Sequence, residues 1–472
     1  MKKIGLFCLA ICIIFSITPL CMANDGSNDI SVPTQPVNSC NGLDAATALL
    51  NSGQIVENAD AVLMYDLATN TLVYQWNADA SMPPSSLVKI MTAYLALQKG
   101  DPEDVITVKE STLSTIPKDA ASVYLLAGEQ ITLSELIYCM LVGSANDAAA
   151  VIAEHISGTQ EAFVQEMNTV AQSMGCTGTY FVNCHGLHND AQYTTARDVA
   201  RILSAALQNE TFRAAFTTVH YTVNATNMTP SRELAAGNFL MNTDSMEIYY
   251  DERVTGGRTG IANDGKRSLA ITAESNGMEL ITVLIGAESE IAADGYSIRV
   301  YGGFNEIKTL LDHAFDGYEA VEVLYDGQTL YQTSVINGTN DVFLGPNEAV
   351  KAILPSATRL TDLTLKIENI QELKAPIELG QHLSHVEVWH QNLCLAEADL
   401  YAKNSVPSAL ETFSGDVADQ NITVWTVLLH IFLWAVAIGV IGVCIYLATP
   451  RIRRLFQKRK SKKYRRSRRR SQ

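Results

Sequence analysis

Between Asn421 and Pro450 the sequence has no charged residue, and from Arg451 to Gln472 it has no acidic one. A buried helix of a soluble domain rarely runs that far without charge. Val424 to Ala448 is apolar almost throughout. A helix of that length, rising about 1.5 Å per residue, reaches roughly 37 Å and exceeds a bilayer core of about 30 Å. The thirteen Lys/Arg that follow mark the tail as cytoplasmic and everything upstream as extracytoplasmic. The expectation is a transmembrane helix over 421–450 and a basic cytoplasmic tail over 451–472, touching lipid headgroups rather than serving as a nucleic-acid arm. The opposite end points the same way. Lys2 and Lys3, the apolar run Ile4 to Leu20, and Cys21-Met22-Ala23 predict a signal peptide over 1–23. The expected location is therefore the cell membrane, single-pass, with the body outside.

That body is short of cations: nineteen Lys/Arg stand against fifty Asp/Glu, a balance near −31 that excludes nucleic acid as its partner. It also lacks any Cys-x-x-Cys pair. Its five cysteines, Cys40, Cys139, Cys176, Cys184 and Cys394, are odd in number, so at least one is free or pairs between molecules. Cys176 and Cys184 are close enough for a bridge, which spacing alone does not establish. No third ligand cluster accompanies His185 and His188, which argues against zinc. Gly260 to Lys266 nearly spells a phosphate-binding loop, but Arg267 stands where a Ser or Thr would hold magnesium.

What the body does contain divides in two. Residues 24–42 are polar, with Pro33 and Pro36, and read as a flexible leader. Strands are predicted over Ala61 to Asp66 and Leu72 to Trp76, and over Arg267 to Ser275 and Met278 to Gly286 around the hairpin signal Asn276-Gly277. Helical spacing fills the interval: Ser86 to Leu97, a run Leu136 to Ile156 opened by a capping box at Thr132 and Glu135, Phe163 to Met174, and Thr194 to Leu207. Strand pairs at both ends with helices between predict an α/β (α+β) body over 43–317 whose terminal strands share one sheet. From Tyr318 short β-rich runs replace helical spacing, predicting an all-β domain over 318–403 and a polar linker over 404–420.

Three short motifs carry chemistry. Ser86-Leu87-Val88-Lys89 places a hydroxyl and an amine three residues apart, on one face of a helix. A serine becomes nucleophilic when a base takes its proton, and a lysine serves as that base once burial and neighbouring cations depress its pKa. Ser144-Ala145-Asn146 interrupts an otherwise apolar helix. Arg258-Thr259-Gly260 follows Gly256-Gly257 and offers a cation and a hydroxyl suited to a carboxylate, with glycines that admit a close backbone.

Together these resemble the SxxK, SxN and K-T-G set of the penicillin-recognising serine enzymes. The flanks Ser85 to Tyr94, Phe181-Val182-Asn183-Cys184-His185-Gly186-Leu187, Tyr193 to Asp198, and Lys374 to Gln381 are similar to the D-alanyl-D-alanine carboxypeptidase branch of low-molecular-mass penicillin-binding proteins. The resemblance spans about residues 50–403 and implies a serine β-lactamase/DD-peptidase-like catalytic domain followed by a β-domain. It implies Ser86 as nucleophile, Lys89 as base and Ser144 as proton relay. Asn146 would contact the substrate amide, and Arg258, Thr259 and Gly260 would bind the terminal carboxylate and the strand edge. The implied substrate is the peptidoglycan stem peptide, with β-lactam antibiotics as covalent inhibitors and no cofactor or metal. Arg258 stands where the family has Lys, and Cys184 where it has Pro. If charge alone matters at 258, exchange to Lys keeps most activity. Two other readings stand beside this one. A class A-like β-lactamase needs a deacylating Glu, and none occurs from Met167 to Thr195. A non-catalytic wall-binding relative is disfavoured because the motif hydroxyls and the Lys89 amine all persist.

Overall fold

The computed structural model describes residues 38–50, 53–294, 297–370, 372–409 and 427–443. Strands β1 (Ala61–Asp66) and β2 (Thr71–Trp76) lead through a 3-10 turn, Ser85–Leu87, into helix α1 (Val88–Lys99). A small pair, β3 (Val105–Thr107) and β4 (Gln130–Thr132), brackets the one-turn α2 (Glu110–Leu113). Helices α3 (Leu133–Leu141), α4 (Asn146–Ser157), α5 (Gln160–Ser173), α6 (Ala196–Ala206) and α7 (Glu210–Thr217) follow. Next come a second small pair, β5 (His220–Val223) and β6 (Arg232–Ala235), and the short α8 (Thr243–Met246). Strands β7 (Val254–Ile261), β8 (Arg267–Ser275) and β9 (Met278–Ala287), the pair β10 (Glu290–Ile291) and β11 (Ile298–Val300), and helix α9 (Phe304–Phe315) complete this part.

The main sheet runs β2-β1-β9-β8-β7, so the first and last strands of the segment do share one sheet. All six residues of β1 are buried, as a strand covered on both faces requires. One face, with Leu63, Val283 and Ile285, packs on α1 and α3 to α6; the other, with Val62, Leu269 and Leu280, packs on Phe304, Ile307 and Leu310 of α9. The Asn276-Gly277 turn has φ of 51° and 76°, the double left-handed pair that a tight hairpin needs. Because β7 lies at the sheet edge, one side of its backbone stays available.

From Tyr318 to Ser408 the described residues hold strands and one 3-10 turn. β12 (Tyr318–Leu324) pairs with β15 (Val350–Pro355). β13 (Tyr331–Thr333), β14 (Val342–Gly345), β16 (Leu363–Ile367), β17 (His382–His390) and β18 (Leu393–Ala402) form a sheet in the order β13-β14-β18-β17-β16. The all-β expectation holds for this region.

Several local expectations change. The predicted helix Leu136 to Ile156 is two helices, α3 and α4, because Ser144 takes φ 59°, a left-handed value that no α-helix continues through. Thr132 caps α3 by accepting from the Glu135 N–H, but the Glu135 carboxylate turns away to Asn224, so the reciprocal half of the box is missing. The leader reading fails for residues 38–42. Cys40 is fully buried, donates its N–H to Cys394 O (3.2 Å) and accepts from Leu72 N–H, tying β18 to β2. The linker reading fails at 404–408 for the same reason: Val406 is buried and exchanges two backbone hydrogen bonds with Ile377. In both stretches a single apolar side chain finds a core, which a polar average conceals. All five body cysteines are free and buried, so no bridge joins Cys176 to Cys184.

The signal peptide (1–23), residues 24–37 of the leader, residues 410–420 of the linker and the basic tail lie outside the described residues. So do parts of the expected span. Residues 427–443 are helical and exposed, and no helix of the described residues is long and apolar enough to cross a membrane.

Candidate active site

Ser86 sits in the 3-10 turn that precedes α1, not in the α-helix proper as the spacing predicted. The consequence favours chemistry. The turn runs straight into α1, so Lys89 follows Ser86 by one turn and its Nζ reaches 3.4 Å from Ser86 Oγ. Lys89 is fully buried. Its amine donates to Asn146 Oδ1 at 2.7 Å and to the carbonyl of His185. Burial first, and the nearby Arg258 cation second, hold its pKa well below the ordinary lysine value. The lowered pKa favours the neutral amine, the form able to take the Ser86 proton, and the contacts to Asn146 Oδ1 and His185 O hold the amine in place.

The second motif is delivered by the break between α3 and α4. The left-handed Ser144 turns its hydroxyl towards β7, while Asn146 starts α4 with Oδ1 on Lys89. Asp147, beside it and buried, accepts from Ser122 Oγ (2.6 Å) and from the N–H groups of Val123 and Leu125. That carboxylate pins the segment before β4 onto the head of α4, a role the motif reading did not include. An acid in a helix's first turn was the available signal.

The third motif lies on β7, the edge strand. Arg258 is 4% exposed; it donates to Leu141 O at 2.9 Å and to Ser144 Oγ, and its Nε has no partner. Burial lowers its pKa to about 10, so it stays charged near neutrality. Asp251 is taken by Arg253, and no acid pairs with Arg258 among the described residues. Thr259 is half-buried beside Gly237. Gly260 crosses directly beneath the nucleophile's turn: a Cβ there would overlap Ser85 Oγ and lie 2.8 Å from Ser86 N.

All seven residues of the sequence reading therefore converge on one edge of the sheet. Two groups it missed are backbone carbonyls, His185 O and Leu141 O, which side-chain patterns do not reveal. Gly186, next to His185, has φ 85° and faces Ser85 O so closely that a Cβ would collide, which explains the glycine in that loop. Cys184 is fully buried and its carbonyl accepts from Thr92 of α1 at 2.6 Å.

Residues 50–289 match the family described as D-alanyl-D-alanine carboxypeptidase, and residues 318–408 match the penicillin-binding protein 5 C-terminal domain. The chain belongs to the D-alanyl-D-alanine carboxypeptidase family. Among the relatives of this carboxypeptidase-family chain, DacF of Bacillus subtilis is 27% identical over 365 residues, covering 76% of this chain and 88% of its own length. DacC of Escherichia coli is 28% identical over 344 residues, covering 70% and 80%. The structure of penicillin binding protein 5 from Haemophilus influenzae superposes with TM-score 0.62 at 26% identity, over 76% of this chain and all of that one.

Proposed function

We propose that this chain is a serine D-alanyl-D-alanine carboxypeptidase that trims peptidoglycan stem peptides and is acylated by β-lactams, with Ser86 as its nucleophile. The observation that carries the reading is the fully buried Lys89 amine 3.4 Å from Ser86 Oγ. Ser86 Oγ attacks the carbonyl of the penultimate D-alanine as its proton passes to Lys89. The oxyanion is stabilised by backbone N–H groups, that of Ser86 among them. Ser144 accepts a hydrogen bond from Arg258 and so has its own proton to give to the departing D-alanine nitrogen, taking the proton held by Lys89 in exchange. Water then cleaves the ester, releasing the shortened peptide and restoring Ser86. Asn146, with Oδ1 on Lys89, has its N–H groups to offer a substrate carbonyl. Thr259 meets the terminal carboxylate and Arg258 supplies positive charge behind it.

Mass spectrometry of the detergent-solubilised chain after penicillin treatment tests this. One covalent adduct on Ser86 is expected, absent from Ser86→Ala, and an adduct elsewhere in that variant removes Ser86 from the site. Lys89→Ala should slow acylation at least roughly a hundredfold, the low end for losing a proton-transfer group.

The charge-free run 421–450 and the thirteen cations after it support a second element of the reading: a C-terminal anchor holding the body outside the cell membrane. Full-length protein should sediment with membranes and release only in detergent. A chain ending before Asn421 should be soluble and retain penicillin binding; if it still sediments, the affinity for membrane lies in the body.

A further inference from the structure

A cleft of about 470 Å³ lies where the catalytic body meets the β-domain. The body contributes Asn41 and the β1–β2 turn to its lining; the β-domain contributes the β14–β15 turn and residues of β17 and β18. Its volume is within the range of small-molecule sites, about 300–1,000 Å³. The sheet register separates it from the site of Ser86. Thr259 of β7 stands level with Leu269 of β8, Leu284 of β9 and Val62 of β1. The β1–β2 turn begins after Asp66, about 13 Å further along the strand direction, away from Gly260 and three strands over.

Most of the charge in this cleft is already committed. His385 brings Nδ1 to 3.3 Å from Asp399 and Nε2 to 3.5 Å from Glu397. Asp399 also meets His382 at 3.2 Å, and Glu397 accepts from Ser39 at 3.4 Å. Glu348 and Lys351, the other charged residues of the lining, are opposite in sign and exposed. An anion would face three carboxylates there, and a polyamine would have to displace His385 from its acids. What stays open is uncharged. Asn70 donates to Asn41 Oδ1 at 3.1 Å and accepts from the Tyr65 hydroxyl, so the Asn41 amide is held with its NH2 unpaired among the described residues. Asn347 Oδ1 accepts from Lys403 at 3.1 Å, and its NH2 likewise has no partner among them. His385 Nε2 is buried without a hydrogen bond. Fixed, unspent donors in a charge-compensated cleft fit a neutral ligand rich in hydroxyl and carbonyl oxygen. Half-buried Tyr401 adds ring surface for the C–H face of a sugar.

Resting on the carboxypeptidase reading for the identity of the polymer, we infer that the cleft between body and β-domain binds the N-acetylated glycan of the wall. Hydroxyl and acetamido oxygens of the sugars take the amide donors of Asn41 and Asn347, and one ring packs on Tyr401. The enzyme then holds a strand by its sugars while Ser86 works on a stem. Two holds on one polymer raise the effective concentration of stems at the nucleophile.

Calorimetry of the detergent-solubilised full-length protein with the trisaccharide of N-acetylglucosamine tests the binding. We expect saturable binding, weakened at least about tenfold in the double variant Asn41→Ala, Asn347→Ala, the scale of two lost hydrogen bonds. Ala349→Trp, at an exposed position of the lining, should fill the cleft and abolish binding. Kinetics test the use. Ala349→Trp should lower kcat/KM about tenfold or more on glycan-linked stems, and leave free peptides and penicillin labelling of Ser86 unchanged. Trisaccharide binding that is absent in the wild type, or equal in all three forms, overturns the site. Binding of spermine or inorganic phosphate in place of the trisaccharide, lost in Ala349→Trp, overturns the assignment to a glycan. Equal cleavage of linked stems by wild type and Ala349→Trp overturns the tethering role. If the trisaccharide binds as expected while no peptide is cleaved, the carboxypeptidase reading fails and the saccharide site stands.

Discussion

At Arg258 a guanidinium does two jobs that an ammonium cannot do together. Its terminal nitrogens reach Leu141 O, at the end of α3, and Ser144 Oγ, past the helix break, so one side chain sets the geometry of that break. Lysine has a compact point charge and reaches one of these acceptors at a time. The charge-only expectation, that Arg258→Lys keeps most activity, is therefore revised. A buried carbonyl left unpaired costs about 1–3 kcal/mol. Arg258→Lys should lose roughly tenfold in kcat/KM and lower the melting temperature. Arg258→Ala should lose a hundredfold or more, because the charge that lowers the Lys89 pKa disappears as well. Steady-state kinetics and thermal melts on the three forms check this. An Arg258→Lys variant with unchanged activity and melting would return Arg258 to a purely electrostatic role.

At the scale of elements, catalysis depends on how closely β7 passes beneath the Ser85–Leu87 turn. Gly260 is required by space: its missing side chain leaves room for Ser85 Oγ and Ser86 N. Gly260→Ala should push the turn away from the strand and suppress penicillin acylation by at least about tenfold, since misplacement of reacting groups by an ångström is costly. Gly265, in the turn between β7 and β8, is required by conformation: φ is 81° and nothing lies within 4 Å of a Cβ. Gly265→Ala should cost about 1 kcal/mol of stability and leave acylation intact. Stopped-flow acylation and chemical denaturation of both variants separate the two reasons for a glycine. Equal acylation by both variants would show that the turn adapts.

For the molecule as a whole, two histidines give pH dependences of opposite sign. His185 is held neutral by burial and by Lys89, with its pKa lowered from 6.5 to about 4, and its Nδ1 accepts the Leu187 N–H at 3.2 Å. The unfolded chain binds that proton more readily, so stability falls as pH drops from about 6.5 towards 4. In the β-domain, Glu397 and then Asp399 raise the pKa of His385, at 3.5 and 3.3 Å from its ring nitrogens. Its contribution is complete below 6.5 and is lost as pH rises through the raised value. His185→Asn should reduce the loss of melting temperature between pH 7 and pH 4.5. His385→Gln should lower the melting temperature more at pH 5 than at pH 8. Melts across pH 4 to 8 check both, and parallel curves for wild type and His185→Asn would place the acid sensitivity elsewhere.

Much of this protein is local, and local features are legible in a sequence. The Asn276-Gly277 turn, the period-2 and helical runs, and the three motif spacings depend on residues a few positions apart, which is why the hairpin, several of the helices and the candidate site residues could be picked out of the chain alone, while the break at Ser144 could not. Burial is different, since it depends on segments far apart in sequence. Whether Lys89 is a base rests on His185 O and Asn146 Oδ1 holding its amine from 96 and 57 residues away, and on burial and Arg258 outweighing the nearby Asp147 carboxylate. Cys40 and Val406 look like parts of polar tails until β18, β2 and Ile377 surround them. Arg258 looks like a ligand for a carboxylate until Leu141 and Ser144 claim its nitrogens. Residue identity and spacing say which groups are present and which elements bear them. Packing between distant segments sets which of those groups lose their water, and so which are charged, which are held, and which are left to react.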